Sequence, residues 1–383
     1  MALDVRYCNP DLSSGSNDGS SEANAFQSVS GAVSYINSNG PGVHMYFKRT
    51  SSRDSSTINI SATFADTTKK TILEGYETTP GDRGKFQIGS NSSGQIILGT
   101  AADNMILRNF DIEFAGGGGV SNCVLFSKGM TNVIENCKVH NLSTSADRTA
   151  IRYTQECTII NSEISSAAAS FSNDVSDVHA VVAGAALRGG SVCYNIIKGA
   201  QGIANTSQFL GYFCFGNVIM PNTADSVDLD LGIRMTLARE GSGGNEQRGT
   251  VVSGNTIYNF QSTGIEIREQ PDDTNAFQNI FTQNLLFAGD SSAKGFLNSD
   301  STDTAIACIT GNAMNSDVIS SANRFDGFGD MPTDPTVLYT GNPFVDNDPT
   351  LGIDRSTDVY RAGFFKSNFG AVQNEDFEFV SVS

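Results

Sequence analysis

Short apolar clusters built around an asparagine recur along the chain: ILRNFDI (Asn109), VIENCKV (Asn136), TIINSEI (Asn161), VCYNII (Asn195), FCFGNVI (Asn217), VVSGNTI (Asn255), IFTQNLL (Asn284) and CITGNAM (Asn312), with a weaker ninth at SSANRF (Asn323). Successive separations are 27, 25, 34, 22, 38, 29, 28 and 11 residues, and all but the last fall in the range that marks stacked repeat units. Each cluster is too short and too rich in β-branched residues, Gly and Asn for a helix pair, so the spacing predicts one turn of a strand coil per repeat. Between the clusters lies a second recurring strand, centred on Ile151, Leu187, Ile203, Ile233, Ile265 and Phe296, in which a small residue precedes an apolar one. That step predicts a column of aliphatic side chains pointing inward and another column pointing outward. An inward asparagine at a bend can satisfy backbone groups from one coil to the next, which explains its recurrence.

In the first three clusters the matching aliphatic comes three residues after Asn (Ile112, Val139, Ile164), and later it comes two after (Ile197, Ile219, Ile257, Leu286, Met314). A one-residue shift reverses side-chain facing, so a bend or bulge change is expected near residues 165 to 195. At the start, Phe26, Val29, Val33 and Ile36 form the stripe of an amphipathic helix over 23–37, placed to plug the open coil. Residues 329–383 gain Pro332, Pro335, Pro343 and Pro349 and read as a looped cap or arm, with the aromatic cluster Tyr360, Phe364, Phe365 and Phe369 against the last coil. The expected organisation is a cap over 1–70, a coil over 71–328 and a C-terminal cap over 329–383.

The 383 residues carry 24 Lys+Arg against 41 Asp+Glu, a formal charge of −17, so the clustered positive field that nucleic acid requires is missing. Charged residues are only 17%, which leaves neutral Ser, Thr, Asn and Gly to cover the surface. No apolar run approaches the ~20 residues of a membrane span. The opening Met-Ala-Leu-Asp-Val-Arg has neither an apolar signal core nor a cleavage site, which predicts a protein made in a cytoplasm and held there until released by another route. Seven cysteines without a C-x-x-C pair, and three scattered histidines, read as free core thiols rather than a disulfide framework or metal site.

The opening YCNPDLSSGSNDGSSEANAFQSVSGAV (Tyr7 to Val33), the segment TILEGYETTPGDRGKFQI (Thr71 to Ile88) and the endings NPFVDNDP and SNFGAVQ resemble the right-handed parallel β-helix proteins of the pectate-lyase-like superfamily, over nearly the whole chain. The resemblance implies an all-β solenoid, a right-handed parallel β-helix with an N-terminal helical cap and a C-terminal loop cap. It implies little about activity, because this fold hosts lyases, hydrolases, adhesins and structural proteins. Without a secretion signal, the chain is also similar to bacteriophage virion proteins such as tailspikes, appendages and capsid decorations. That implies a virion location, a homotrimer and contacts with other virion proteins.

For chemistry, the most regular alternation is DLDLGIRMTLARE (Asp228 to Glu240), with Leu229, Leu231, Ile233, Met235 and Leu237 facing inward and Asp228, Asp230, Arg234 and Thr236 outward. Aligning Ile233 with Ile265 sets Arg234 beside Glu266 and Thr236 beside Arg268, with Arg152 and Arg188 farther up the same outward column. Asp228, Asp230 and Glu266 are thus the candidate acids of a glycosidase. Arg152, Arg188, Arg234 and Arg268 are the candidate substrate-binding cations, able to neutralise a uronate in a lyase. The bland alternative is a solvated ladder of charges. The W-x-D-H and R-x-P-x-x-R signatures of pectate lyases are missing, and of the polygalacturonase set only the pair Asp272 and Asp273 occurs. Gly116 to Gly119 lacks a following G-K-[ST], and SDSTD (Ser299 to Asp303) and DGFGDMPTD (Asp326 to Asp334) do not fit a calcium loop, so no metal and no cofactor is expected. The expected function is a virion-associated structural or host-recognition protein that binds surface glycans; the alternative is a polysaccharide lyase or glycoside hydrolase.

Overall fold

The computed structural model describes residues 3–62, 68–90, 95–99, 104–115, 122–126, 131–144, 149–153, 156–168, 179–183, 190–205, 212–236, 250–268, 279–299, 308–328 and 337–351. Its strands form one sheet of eleven and one of nineteen, and every pairing between them is parallel and joins a strand to its counterpart one coil on. The nineteen-stranded sheet is itself two walls, merged because Thr256–Arg268 runs through both. From Thr71–Tyr76 onward each coil therefore runs through all three walls. The chain is a parallel β-helix.

The interior follows from strand alternation. On the second wall Ile88, Ile112, Val139, Ile164, Ile197, Ile219, Ile257, Leu286 and Met314 stack in register and are fully buried. On the third wall Ile151, Val181, Ile203, Ile233, Ile265 and Phe296 share a register. Val181, not Leu187, holds the expected position; Leu187 lies outside the described residues. Gly202, Gly232, Gly264 and Gly295 precede the apolar residues in this column. A Cβ on Gly232 would lie 2.5 Å from both the Gly264 carbonyl oxygen and Cγ2 of Ile257, so the walls close together only if that corner lacks side chains. This is the physical reason for the small-then-apolar step.

The bend between the first and second walls holds the asparagine ladder, one position away from where the motif alignment put it in the early coils. Asn195, Asn217, Asn255, Asn284 and Asn312 are fully buried, and each Oδ1 from Asn217 onward accepts both the backbone N–H and the Nδ2 of the asparagine one coil earlier, at 2.9–3.1 Å. The remaining Nδ2 hydrogen goes to a carbonyl on the preceding coil, as from Asn217 to Val192 at 2.7 Å. Above Asn195 the same position is taken by Ser162 and then Cys137, whose backbone N–H donates to the Ser162 hydroxyl at 3.1 Å.

Asn109, Asn136 and Asn161 instead occupy the preceding position, where φ is +60°, +49° and +51°. Later coils place Tyr194, Gly216, Gly254, Gln283 and Gly311 there, also with positive φ. The early asparagines are thus selected for left-handed backbone and the later ones for the buried amide. No register change separates them: Ile160 pairs with Cys193 and Ile164 with Ile197 without a slip, so the bend or bulge change expected near 165–195 is absent where the strands are described. The ninth motif falls away too, since Asn323 ends a short 3-10 turn.

The ends also differ from expectation. The helix is Val29–Asn39, begun by Ser28, whose hydroxyl accepts the Gly31 N–H at 3.1 Å. Phe26 stays extended, bonded through its backbone to Tyr7 and Asn9, and so cannot join the helix. Asp4–Cys8 and Val43–Lys48 already belong to the eleven-stranded sheet, and Val337–Tyr339 still pairs with Ala313–Asn315, so the coil starts before residue 71 and runs past 328. Residues 360–369 lie outside the described chain. All seven cysteines are free, and only Cys308 is exposed. Burial pushes the Cys137 thiol up to about 12, which keeps it an inert packing group.

Two outcomes test this account. Asn255→Ala should lower stability in urea unfolding by at least about 2 kcal/mol, because it strands buried donors and acceptors on both adjacent coils, whereas Asn161→Gly, at a left-handed position, should change it by less than about 0.5 kcal/mol. Gly232→Ala should be strongly destabilising by the same measurement, although alanine is ordinarily better than glycine in a strand.

Candidate functional site

On the third wall the register of the strands aligns Arg152, Val182, Ala204, Arg234, Glu266, Leu297 and Asp326. Arg234 and Glu266 face each other on adjacent coils, and Arg234 Nε donates to Glu266 Oε2 at 2.6 Å. Their side chains are only 15% and 7% exposed, so this is a desolvated ion pair rather than a solvated one. Arg152 stands three coils from Arg234, roughly 14 Å at ordinary strand spacing, and is not part of the pair. Arg268 sits opposite Thr236 as expected, but its side chain, like the whole of Arg188, lies outside the described residues. The same holds for Asp272, Asp273 and Gly116 to Gly119.

Of the two aspartates, the structure separates what the sequence grouped. Asp228 is exposed in the loop before the strand. Asp230 is half-buried, and its backbone N–H donates to the Ala200 carbonyl at 2.8 Å. It stands beside a slip in register, where Leu229 opposes Phe260 but Leu231 opposes Thr263. A bulge of this kind re-aims the side chains beside it. Burial first, and then the Glu266 carboxylate, push the Asp230 carboxyl above its ordinary value, against the opposing pull of Arg234. Asp230, Arg234 and Glu266 thus form one electrostatic unit containing an acid biased to hold its proton and a fixed carboxylate–guanidinium pair.

Two further clusters escaped the motif reading. On the second wall Arg53 reaches across coils to both oxygens of Asp111 at 3.2 and 3.3 Å and to Glu113 at 3.4 Å, while Lys198 meets Glu163 at 3.0 Å. Between them His140 stands in register with Glu113 and Ser165, its Nε2 buried without a hydrogen-bond partner. Burial, then Lys138, lower its pKa against the pull of Glu163, Asp111 and Glu113, so the ring is held neutral. The sequence signal was present as the alternation in FDIEF, KVHN and EISS, whose outward positions become visible once those strands are superimposed.

On the first wall Glu74, 3% exposed, takes His44 Nε2 at 2.7 Å and Arg108 at 2.5 Å on one oxygen, Oε2. The His44 ring lies 4.1 Å from that of Tyr46. Burial pushes the Glu74 carboxyl up, but the His44 and Arg108 contacts outweigh it and leave the group below its ordinary value. No group of three or more His, Cys, Asp or Glu able to hold a metal occurs among the described residues.

No known family profile matches the chain, and no curated protein does. Among solved structures, the chain is similar to the one titled "Crystal structure of pectate lyase Pel9A", with 15% identity and a TM-score of 0.40 over 98% of this chain and 97% of that one. The fold stands on the strand order above, and this likeness carries no argument about chemistry.

The two shifted carboxyls give opposite pH signatures. A carboxyl raised in the folded state costs stability once it ionises, so Asp230→Asn should be more stable than the parent at neutral pH, and the difference should vanish as pH falls below the carboxyl range. For Glu74, lowered in the folded state, stability is present above the unfolded carboxyl pKa and lost as pH falls through the folded one. Glu74→Gln should therefore be less stable at neutral pH, with the gap closing in acid. Denaturant midpoints measured from pH 7 to pH 3 check both signs.

Proposed function

We propose that this β-helix is a polysaccharide-recognition protein of the virion-associated kind, and that it grips surface glycan along the third wall at Asp230, Arg234 and Glu266 without cleaving it. The observation that supports this is the commitment of Glu266 to Arg234 at 2.6 Å with both side chains nearly buried. Glycoside hydrolysis needs two carboxyl groups free to face one glycosidic bond. Here one carboxylate is held by a guanidinium, an arrangement suited to presenting fixed hydrogen-bond partners to sugar hydroxyls. The low charged fraction and the Gly, Ser and Asn content suit a protein that spends its life on a particle surface. A contact spread along stacked coils also suits a long, repetitive ligand.

The second reading, a glycan depolymerase, is favoured by the upward-shifted Asp230 carboxyl, which is what a general acid requires. One experiment separates them. Full-length protein is incubated with bacterial capsular and algal polysaccharides, with retention on immobilised glycan, new reducing ends and unsaturated-uronate absorbance followed together. The expected result is retention without product, weakened at least tenfold in an Arg234→Ala/Glu266→Ala double variant that removes the pair as a unit. Product formation, abolished by Asp230→Asn, would replace recognition by catalysis. Absence of both retention and product would leave a passive decoration role and sink the glycan reading.

A further inference from the structure

The outer face of the first wall differs in kind from the other two. Outward positions on its last six strands run Thr158, Ser191, Phe213, Val251, Ile280 and Cys308 in one column and Ile160, Cys193, Phe215, Ser253, Thr282 and Thr310 in the other. None of the twelve is charged, in a chain with 24 basic and 41 acidic residues. Phe213 is 49% exposed and Ile280 38%, and Tyr194, 41% exposed at the adjoining bend, packs edge-on against Phe215 at 5.3 Å. The first column stays uncharged farther up, through Val133, Ile106 and Ile72 to Val5, apart from His44. In the second column the charges are Glu135 and the bonded pair Glu74 and Arg108.

We infer that this face is where a second copy of the chain docks, wall against wall. The charge distribution selects that occupant. Two molecules of −17 repel wherever their acidic surfaces meet, and a stripe without carboxylates lets two copies approach without apposing like charges. A partner of opposite charge would gain nothing there, since the stripe offers it no charge to pair with.

The neutral stretch sets the size of the contact. Its six strands at a spacing of about 4.8 Å and about 13 Å of strand length give roughly 370 Å² per copy, or about 750 Å² over two copies. A contact of that size makes a weak, reversible dimer. Exposed Phe and Tyr near the centre supply the aromatic anchors such contacts use, and two sheet faces pack through interdigitating side chains about 10 Å apart. Because the same stripe serves both molecules, the contact is isologous and closes at two copies, where the family resemblance implied three.

Cys308 makes the arrangement measurable, being the one exposed thiol and lying in the same column as Phe213 and Ile280. Sedimentation velocity on the full chain is expected to show a dimer at micromolar concentration, with maleimide labelling of Cys308 slowed at least tenfold on going from dilute to concentrated protein. Phe213→Glu/Ile280→Glu places carboxylates in the stripe at exposed positions, so circular dichroism and melting should be unchanged while the dimer dissociates and labelling becomes independent of concentration. A parent chain that stays monomeric, a trimer, or an assembly that survives the double substitution would each overturn the proposal. Should the variant misfold, Tyr194→Glu, at a positive-φ bend outside the strands, replaces it with the same two readouts.

Discussion

An amide side chain buried at a bend, with no water to turn to, organises this molecule. Once a coil places an asparagine inside the turn, its two donors and its acceptor must find partners, and the coils above and below supply most of them. Five consecutive residues, Asn195 to Asn312, meet this demand from one another and from the neighbouring backbone. Register follows, since a coil slipped by one residue would leave buried polar atoms unpaired and turn its aliphatic column outward. Everything that happens on the outer walls inherits its spacing from that bend.

Much of this was legible in the sequence because solenoids repeat, and repetition exposes what each position is for. The stacking of Ile233 on Ile265, and with it the meeting of Arg234 and Glu266, could be read by aligning two segments. The asparagine motif misled in one respect. Two unrelated demands, a left-handed backbone at Asn161 and a buried amide at Asn195, select the same residue one position apart, and composition cannot tell them apart. Val181 and Leu187 both follow an alanine, and only strand pairing shows which of them joins the column. Phe26 continues the apolar stripe of the helix in sequence, but its backbone bonds to Tyr7 and Asn9 tie it to the first coil.

The clusters around His140 and Glu74 were hidden for a different reason. Each gathers residues scattered over many tens of positions, and long side chains such as Arg53 reach past their own coil. Pairwise strand alignment finds in-register neighbours such as Glu74 and Arg108, but not the diagonal contact of His44 with Glu74 or the reach of Arg53. Considered by wall, the molecule sorts its polar chemistry: mixed charges on the second, a desolvated pair on the third, and a neutral stripe on the lower first. Such segregation lets one solenoid present distinct chemical surfaces without altering the interior.

The asparagine column also has a direction. From Asn195 to Asn284 each Oδ1 accepts from the preceding coil while one Nδ2 hydrogen goes to the next asparagine, so the side-chain carbonyl dipoles add along the axis of the coil, with the negative end toward Ser162 and the positive end toward Asn312. A row of aligned amides polarises each member, strengthening the bonds in its interior more than those at its ends. The solenoid therefore carries, inside its wall, a small counterpart of the macrodipole familiar from α-helices, built entirely from side chains.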